Sequence, residues 1–234
     1  MTYITGDKHG DFKEIKRFVK ISNLSKDDVV IVLGDSGVNY YTDLRSRRYK
    51  HAANELGIKL FCIHGNHEAR PETLSEYIES EFWGGRVLVD PEFPNTIFAI
   101  DGEVYQIPTK NGIKETLVIG GAYSVDKMYR ISRGYNWYKD EQPSDEIKNK
   151  VEKVLEERNR KIDIILSHTC PLRYEPVEWF LSGIRQDLVD KSTEEWLDKL
   201  LDKIIYFEKW YCGHYHGDKQ IDKIEFMFHN IKEL

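Results

Sequence analysis

Six of the eight histidines in this chain lie in four short blocks, each of which follows an apolar run that predicts a buried strand. These blocks are Gly6-Asp7-Lys8-His9-Gly10, His64-Gly65-Asn66-His67-Glu68, Ser167-His168 and Gly213-His214-Tyr215-His216-Gly217. A fifth block, Leu33-Gly34-Asp35-Ser36-Gly37, follows the most apolar strand. Because strand carboxyl ends in an α/β sheet face one crevice, we expect the five blocks to converge there.

The side chains in these blocks offer carboxylate oxygen, amide oxygen and imidazole nitrogen, but no thiolate. That donor set suits Mn, Fe, Zn or Mg better than a structural zinc held by cysteines. The candidate ligands are too many for one ion, and a carboxylate can bridge two ions ~3.5–4 Å apart, an arrangement used to displace phosphate esters. Taken singly, each block is also explained by a turn, a helix cap or solvated histidines. The five together, in this order, indicate a site for two metal ions.

The order Asp-x-His, Gly-Asp, Gly-Asn-His-Glu, His and Gly-His-x-His resembles the calcineurin-like metallophosphoesterase superfamily, in particular its bacterial and phage members. The pattern runs from Asp7 to His216, nearly the whole chain. The resemblance implies an α/β fold in which two mixed β-sheets pack as a sandwich flanked by helices. It also implies a phosphohydrolase that depends on two metal ions and cleaves phosphomonoesters or phosphodiesters, with nucleotides and cyclic nucleotides among the candidate substrates.

The resemblance further implies a role for each matching residue. Asp7, His9 and His216 hold the first ion, Asn66, His168 and His214 hold the second, and Asp35 bridges them. A hydroxide between the ions attacks phosphorus, while the ions neutralise charge on the phosphoryl oxygens. His67 lies beside the leaving-group oxygen as a general acid or a hydrogen-bond donor.

The second block departs from the serine/threonine protein phosphatases, which typically read Gly-Asp-x-Val-Asp-Arg-Gly. Val38 stands where their Asp orients the acid histidine, and Asn39 stands where they have Arg. His64 stands where they place Arg before Gly-Asn-His-Glu. A protein phosphatase is therefore a second hypothesis, and the residue that orients His67 is not identified. A non-catalytic scaffold on the same fold is a third hypothesis, against which the complete set of ligand positions argues.

Two arginines are candidates to bind the phosphoryl group of a substrate. Arg70 lies three residues after His67, and Arg130 follows the glycine pair Gly120-Gly121. A guanidinium suits bidentate recognition of phosphate, and the alternative role for each arginine is a surface ion pair.

The charge balance limits the partners. The chain has 34 basic and 40 acidic residues and a net charge of −6, which excludes a broad cationic surface for nucleic acid. The net charge does not exclude a local basic pocket. The longest apolar runs, such as Val29–Leu33, are too short to span a bilayer, and the amino terminus lacks the pattern of a secretory signal. Cys62, Cys170 and Cys212 show no CxxC spacing, which indicates reduced thiols and a cytoplasmic location. The length favours one domain over residues 1–234, and the oligomeric state is not predicted.

The elements that must position the blocks follow from apolar periodicity. Strands are expected at Tyr3-Ile4, Val29–Leu33, Lys59–Ile63, Leu117–Ile119, Ile162–Leu166 and Ile204–Cys212. An antiparallel meander is expected over Arg86–Val89, Thr96–Ile100 and Glu103–Ile107. Helical stripes are expected at Phe12/Ile15/Phe18/Val19, Leu44/Ala52/Leu56, Ile147/Val151/Val154/Leu155 and Trp196/Leu197/Leu200/Leu201, the last preceded by a capping box at Ser192–Glu195.

Residues 171–191 fit neither the helical nor the strand period and begin three residues after His168. Long irregular segments in compact domains are more often functional or disordered than inert, and the ring content here argues against disorder. We therefore expect an ordered loop that forms one wall of the substrate cleft, with Arg173 and Tyr174 as its contacts. A packed surface loop is the alternative.

Overall fold

Two β-sheets that pack face to face form the centre of the protein. The computed structural model describes residues 1–234. The strands are β1 (Thr2–Thr5), β2 (Val29–Val32), β3 (Lys59–Cys62), β4 (Ile78–Phe82), β5 (Gly85–Val89), β6 (Thr96–Ala99), β7 (Val104–Thr109), β8 (Gly112–Ile119), β9 (Ile164–Ser167), β10 (Lys209–Cys212), β11 (Lys219–Ile221), β12 (Ile224–Phe226) and β13 (Lys232–Glu233). The helices are α1 (Lys13–Ile21), α2 (Ser46–Asn54), α3 (Lys127–Arg133), α4 (Asp145–Glu157) and α5 (Ser192–Lys203). No helix combines the length and the apolar composition that a membrane crossing would require.

Both sheets are mixed, with parallel strands in their centres. The seven-stranded sheet has the order β13-β1-β2-β3-β6-β5-β4, and the run from β1 to β6 is parallel. The six-stranded sheet has the order β11-β12-β10-β9-β8-β7, and the run from β12 to β8 is parallel. Antiparallel strands close the edges of both sheets. The predicted α/β fold of two mixed sheets flanked by helices is confirmed.

The apolar residues alternate between two kinds of core. Val29 and Ile31 of β2 point between the sheets, where they join residues of the second sheet such as Leu166 of β9. Val30 and Val32 point to the other face, which α1 and α2 cover. The outer face of the second sheet is covered in the same way by α4 and α5. A strand buried on both faces reads as a continuous apolar run, which is why β2 was the clearest strand in the sequence.

The meander predicted in the middle of the chain is wrong in its pairing. β5 and β6 pair antiparallel as expected, and β4 extends them. β7, however, leaves the first sheet and pairs with β8 in the second. The turn at Asp101-Gly102 is therefore a crossing between the sheets, and a pattern of short alternating strands does not distinguish the two outcomes.

Two other element predictions need correction. The strand expected over Ile204–Cys212 is confined to β10, because Ile205 and Tyr206 are exposed in the connection from α5. Helix α2 forms, but Leu44 and Ala52 are exposed. Leu56, just beyond its end, is buried as expected, and the buried residues of the helix itself are Ser46, Lys50 and Ala53.

The capping box at the start of α5 does not form. The helix is present, but its N-cap is Lys191 and the side chain of Ser192 donates to Gln142 Oε1 (3.2 Å). The carboxylate of Asp190 accepts from the amide of Ser192 (3.0 Å). Glu194 is buried and accepts from the hydroxyl of Thr169 (2.7 Å), so a tertiary contact holds the start of the helix in addition to Asp190.

Candidate metal centre

The five blocks meet where the parallel strands of both sheets end. The first sheet contributes residues after three strands and the second sheet contributes residues after two. Asp7 and His9 follow β1, Asp35 follows β2, Asn66 and His67 follow β3, His168 follows β9, and His214 and His216 follow β10. Three groups of carboxylate and imidazole side chains have ligand atoms within 4.8 Å of one another. They are Asp7/His9/His216, His9/Asp35/His67 and Asp7/Asp35/His168.

Asp7 is buried in the middle of this cluster. Its Oδ1 accepts from the amide of His214 (2.9 Å), but its Oδ2 has no hydrogen-bond partner. The nearest charged group to Oδ2 is His216 Nε2, at 3.3 Å. Burial favours the neutral carboxyl, but the interaction with His216 and the neighbouring imidazoles outweighs it, so the pKa of Asp7 lies below its ordinary value. A buried carboxylate oxygen that is ionised and unpartnered is suited to a cation.

Asp35 is the second buried carboxylate. Its Oδ1 accepts from the amide of His67 (2.8 Å), and its Oδ2 lies 3.6 Å from His168 Nε2. Burial raises the pKa of Asp35 well above its ordinary value, and the negative charges of Asp7 and Glu68 raise it further. Binding of a cation would reverse this, because a nearby positive charge favours the ionised form.

Asn66 and His168 present two acceptor atoms to each other. His168 Nδ1 lies 2.8 Å from the carbonyl oxygen of Leu33, which can only accept, so Nδ1 carries the proton and Nε2 is left with a lone pair. Asn66 Nδ2 donates to Ser124 Oγ (2.8 Å), which directs Oδ1 at that same Nε2, 2.8 Å away. Two acceptors in such contact repel each other unless a cation lies beside both of them.

The histidines of the first and last blocks are also adjacent. Nε2 of His9 and Nε2 of His216 are 3.0 Å apart, and the two rings meet edge to face with centroids 5.0 Å apart. Burial lowers the pKa of His214 to about 3. The structure thus brings together all seven side chains that the resemblance implied as ligands, and the donor set fits divalent metal ions.

The backbone at four of these residues is strained. His9, Asp35, His214 and His216 have positive φ angles of 46°, 46°, 68° and 51°. This left-handed region costs roughly 1–2 kcal/mol per residue for a side chain other than glycine. Such conformations persist only where the surrounding structure imposes them, and they concentrate at functional sites.

Glycines beside the candidate ligands allow the blocks to approach one another. A Cβ atom at Gly34 would overlap the imidazole of His168. A Cβ atom at Gly65 would overlap the carboxylate and the amide nitrogen of Asp35. Glycine at these positions is therefore required by close packing of the cluster.

Glu68 has a role that the sequence did not reveal. It is fully buried, and its carboxylate accepts from Ser36 N (3.2 Å), Ser36 Oγ (2.7 Å) and Gly37 N (3.2 Å). These bonds hold the loop that follows β2 and so fix the position of Asp35. The signal was present in the motif Gly-Asn-His-Glu, in which the Glu has no place among the metal ligands.

Arg130 supplies the missing partner of His67. Arg130 Nη2 lies 2.6 Å from His67 Nδ1, its Nε donates to Asp126 Oδ2 (3.1 Å) and its Nη1 donates to the carbonyl oxygen of Asn136 (2.9 Å). Because a guanidinium only donates, Nδ1 of His67 is the acceptor and Nε2 carries the proton. Burial lowers the pKa of His67 to about 2, and the charge of Arg130 contributes to this shift. His67 is therefore neutral at physiological pH, with an N–H on Nε2.

Arg70 does not reach the cluster. Its side chain is buried, its Nη1 pairs with Asp101 Oδ2 (2.6 Å) and its Nε donates to the carbonyl oxygen of Asp140 (2.8 Å). Asp101 in turn accepts from the amide of Gly120 (2.6 Å). The structure thus uses Arg70 to tie the end of β8 to the connection that follows β6. Proximity in sequence to His67 was a poor guide, because the chain turns away from the site after that residue.

A cavity of about 540 Å³ opens from the cluster. Asp35, Asn66, His67, His214 and His216 line one side of it. The segment 171–191 forms the opposite wall, and it is ordered as loops and three short 3₁₀ turns, Leu172–Tyr174, Val177–Trp179 and Gln186–Leu188.

The two contacts expected from this segment are in the wrong place. Arg173 lies outside the cavity and pairs with Asp198 (2.7 Å) and Asp202 (2.8 Å) on α5. The hydroxyl of Tyr174 donates to Asp222 (3.1 Å). Apolar residues further along the segment line the cavity instead, Trp179 and Phe180 among them.

Known proteins were compared with this chain by sequence and by structure. No curated protein matches the sequence. Among solved structures, the chain is similar to the protein TT1561 of Thermus thermophilus, with 12% sequence identity and a TM-score of 0.49 over 99% of this chain and 96% of that chain.

Nearly the whole chain matches one protein family. A model of the family described as "Calcineurin-like phosphoesterase" matches residues 2–230, which includes every candidate ligand from Asp7 to His216. The buried carboxylates, the facing acceptor atoms and the motif order agree with that match. The chain belongs to the calcineurin-like phosphoesterase family.

Proposed function

We propose that the protein is a hydrolase that uses two metal ions to cleave a phosphomonoester or a phosphodiester. The observation that carries this proposal is that hydrogen-bond acceptor atoms converge at the strand ends without donor groups to pair with them. Asp7 Oδ2 is buried and unpartnered, and Asn66 Oδ1 faces His168 Nε2 at 2.8 Å. Buried charges and facing acceptors are costly unless a cation compensates them, and family membership supports metal-dependent phosphoester hydrolysis as the use of such cations.

The candidate ligands divide between two ions. Asp7, His9 and His216 would hold one ion, Asn66, His168 and His214 would hold the other, and Asp35 would contact both. When bound, the ions would supply positive charge for the phosphoryl oxygens and acidify a water molecule. The donor set is compatible with Mn, Fe, Zn or Mg and does not select among them.

His67 would act on the leaving group rather than on a metal ion. Its Nε2 carries a proton because Nδ1 accepts from Arg130. Since His67 lines the cavity between the cluster and its opening, that N–H can donate to the oxygen on which charge develops as the ester bond breaks. A neutral donor of this kind stabilises the transition state without a prior protonation of the imidazole.

Arg130 would position His67 and would not bind phosphate directly. Three of its five N–H groups, one on each nitrogen, donate to His67, Asp126 and the carbonyl of Asn136. Its side chain is buried and does not line the cavity. The role that other phosphatases give to an aspartate beside the acid histidine would pass here to an arginine. Such a partner fixes one tautomer of the imidazole, as an acceptor on Nδ1 requires a proton on Nε2.

A protein phosphatase is the weaker alternative. Val38 is fully buried, and Asn39 accepts from the hydroxyl of Tyr77 (2.8 Å), so neither side chain is available for a phosphopeptide. His64 is buried against the carbonyl of Glu68 (3.0 Å). A non-catalytic scaffold is weaker still, because nothing in binding a partner requires seven converging ligands. We also propose a single domain, a cytoplasmic location and no extended nucleic-acid surface.

A turnover screen tests the proposal. The metal-stripped protein would be supplied with Mn, Mg, Fe, Co, Ni or Zn and offered phosphomonoesters, phosphodiesters, 2′,3′- and 3′,5′-cyclic nucleotides and a phosphopeptide. We expect hydrolysis of an ester only with metal, and two ions per chain. Absence of turnover with every metal, together with absence of bound metal, would favour the scaffold.

A further inference from the structure

The wall of the cavity opposite the metal centre is apolar and belongs largely to one segment. Trp179, Phe180, Leu181, Ile184 and Val189 all lie within residues 171–191 and line the cavity. Leu181 is 63% exposed, although it is a large apolar side chain. Apolar side chains gathered at the mouth of a site indicate contact with an apolar group.

Apart from the histidines of the cluster, the ionisable side chains at the wall of this cavity are carboxylates and tyrosines. Besides Asp35, the lining includes Asp126, Glu175, Asp190 and Glu194, but no lysine or arginine. The two cations beside the lining are already paired: Lys191 with Glu175 (2.6 Å) and Arg130 with Asp126 (3.1 Å). Lys191 also lies over the ring of Phe180, 5.0 Å from its centroid. Asp126 Oδ1 is buried without a hydrogen-bond partner. An anionic group placed here would meet carboxylates and no free cation.

We propose that this cavity binds the organic group of the ester. That group is uncharged, largely apolar, about the size of an aromatic ring system, and carries no second anion. The substrate class is therefore a phosphate ester with one phosphoryl centre, such as an aryl ester or a nucleoside monoester or diester, rather than a diphosphate, a polyphosphate or an acidic phosphopeptide. The inference rests on the proposed function, because it assumes that the phosphoryl group lies at the metal centre.

The volume agrees with this class. A cavity of about 540 Å³ lies within the usual range of roughly 300–1,000 Å³ for small-molecule sites. Such sites gain specificity from a few polar groups on an apolar lining. In a hydrophobic pocket, two ligands that differ by one methylene group differ in binding by roughly 10–200-fold. Rejection of an anion has a separate source, since like charges across an interface cost several kcal/mol.

The first test measures binding without turnover. Phosphonates cannot be hydrolysed, so biphenylmethyl phosphonate, benzyl phosphonate and 4-carboxybenzyl phosphonate would be titrated into the Mn-loaded protein by calorimetry. We expect the biphenyl compound to bind at least about tenfold more tightly than the benzyl compound, and the carboxybenzyl compound to bind at least about tenfold more weakly. Equal affinities, or no binding of any of the three, would overturn the assignment of the cavity.

Substitutions in the wall supply the second test. Ile184→Lys adds a cation to the lining, and we expect it to reduce the preference for biphenyl over carboxybenzyl by about tenfold or more. Leu188→Lys is the matched control, because Leu188 is in the same segment, is 66% exposed and does not line the cavity. The control should keep the wild-type ratio. Leu181→Lys replaces Ile184→Lys if the latter unfolds, and an unchanged ratio in both would refute the proposal.

Turnover of the corresponding phosphates separates this inference from the function on which it rests. Biphenyl-4-yl, phenyl and 4-carboxyphenyl phosphates release phenols of similar acidity, so their kcat/KM values report on the cavity. If the phosphonates bind in the expected order but no phosphate or its methyl diester is hydrolysed, the proposed function fails and the cavity assignment stands. If all are hydrolysed with equal kcat/KM, the function stands and the inference fails.

Discussion

The Nη2 of Arg130 lies 2.6 Å from Nδ1 of His67, a pairing between residues 63 positions apart in the chain. It joins the first turn after β3 to the helix that follows the β8 strand end. Since a guanidinium cannot accept a hydrogen bond, the contact determines which nitrogen of the imidazole carries the proton. Arg130 is thus a partner for His67 that the second block, with Val38 and Asn39, does not supply.

Arg130→Ala should lower kcat by at least about tenfold while KM and metal content change little, because the freed imidazole can exchange tautomers and turn. Kinetics on the metal-loaded variant and metal analysis measure this. Added guanidinium should restore part of the rate. The kcat of Arg130→Gln, which keeps a donor group, should lie between that of the wild type and that of Arg130→Ala. A variant that loses metal in proportion to rate would contradict a positioning role.

His67→Ala should keep both metal ions and lower kcat by about 10²–10⁴-fold on esters with poor leaving groups. Alkyl esters need a donor at the leaving oxygen most, and nitrophenyl esters need it least. The ratio of the two rates in the variant and in the wild type is the measurement. Equal losses for both esters would mean that His67 stabilises charge on the phosphoryl group in general and does not act on the leaving oxygen.

Asp35→Ala should reduce bound metal below two ions per chain by weakening both sites at once, because the two groups that include Asp35 draw on ligands of both proposed ions. Metal analysis after dialysis measures the stoichiometry. The matched comparison is His216→Ala, which should weaken one site more than the other. An unchanged two ions per chain in Asp35→Ala would exclude the bridging role.

Glu68→Gln should weaken metal binding by about 10–100-fold, as is usual for residues that orient ligands from behind. The amide nitrogen would replace one of the two oxygens and so face the N–H group of either Ser36 or Gly37, so the loop that carries Asp35 should shift. Competition with a chelator measures the affinity. A metal affinity equal to that of the wild type would show that Asp35 is held by other contacts.

Glu194 should make stability depend on pH. Burial raises the pKa of Glu194 to about 7, against 4.5 for the exposed group. The folded protein then binds more protons than the unfolded chain between these values, so the free energy of unfolding should fall as pH rises from about 4.5 to about 7. The loss amounts to at most about 3 kcal/mol. Denaturant unfolding of the metal-free protein measures it.

Two variants complete that measurement. Glu194→Gln keeps an acceptor for Thr169 and cannot ionise, so its difference from the wild type should follow the pH dependence just described. Glu195→Gln is the control, because Glu195 is exposed on the same helix. A wild type and a Glu194→Gln variant that differ by the same amount at pH 4 and pH 8 would contradict the assignment.

The candidate ligands could be predicted because each follows an apolar strand, and strand ends converge whatever the intervening chain does. The pairing of β7 could not, because an alternating strand of this length fits the edge of either sheet. Arg70 was misjudged for a related reason. Its contact with Asp101 depends on how the connection after β6 folds back, and nothing local to Arg70 specifies that.

The orientation of His67 was also beyond local reasoning. Arg130 reaches it from α3, a helix of seven residues with no apolar stripe in the sequence. The sequence predicted which segment forms the wall of the cavity, but not which of its residues face the cavity. Irregular structure has no period from which the inward-facing side chains could be read, so nothing in the sequence pointed to Leu181 and Ile184 rather than to Arg173 and Tyr174.

The candidate metal centre draws its ligands from both sheets, so its assembly depends on the order in which the chain is synthesised. Asp7 follows the first strand to leave the ribosome, whereas His214 and His216 follow the tenth. β1 gains its outer neighbour only when β13 pairs with it. A nascent chain that has reached residue 170 carries most of the cluster without the two histidines that close it. We therefore expect productive metal loading to be a late event in the life of each chain, after the second sheet has docked on the first.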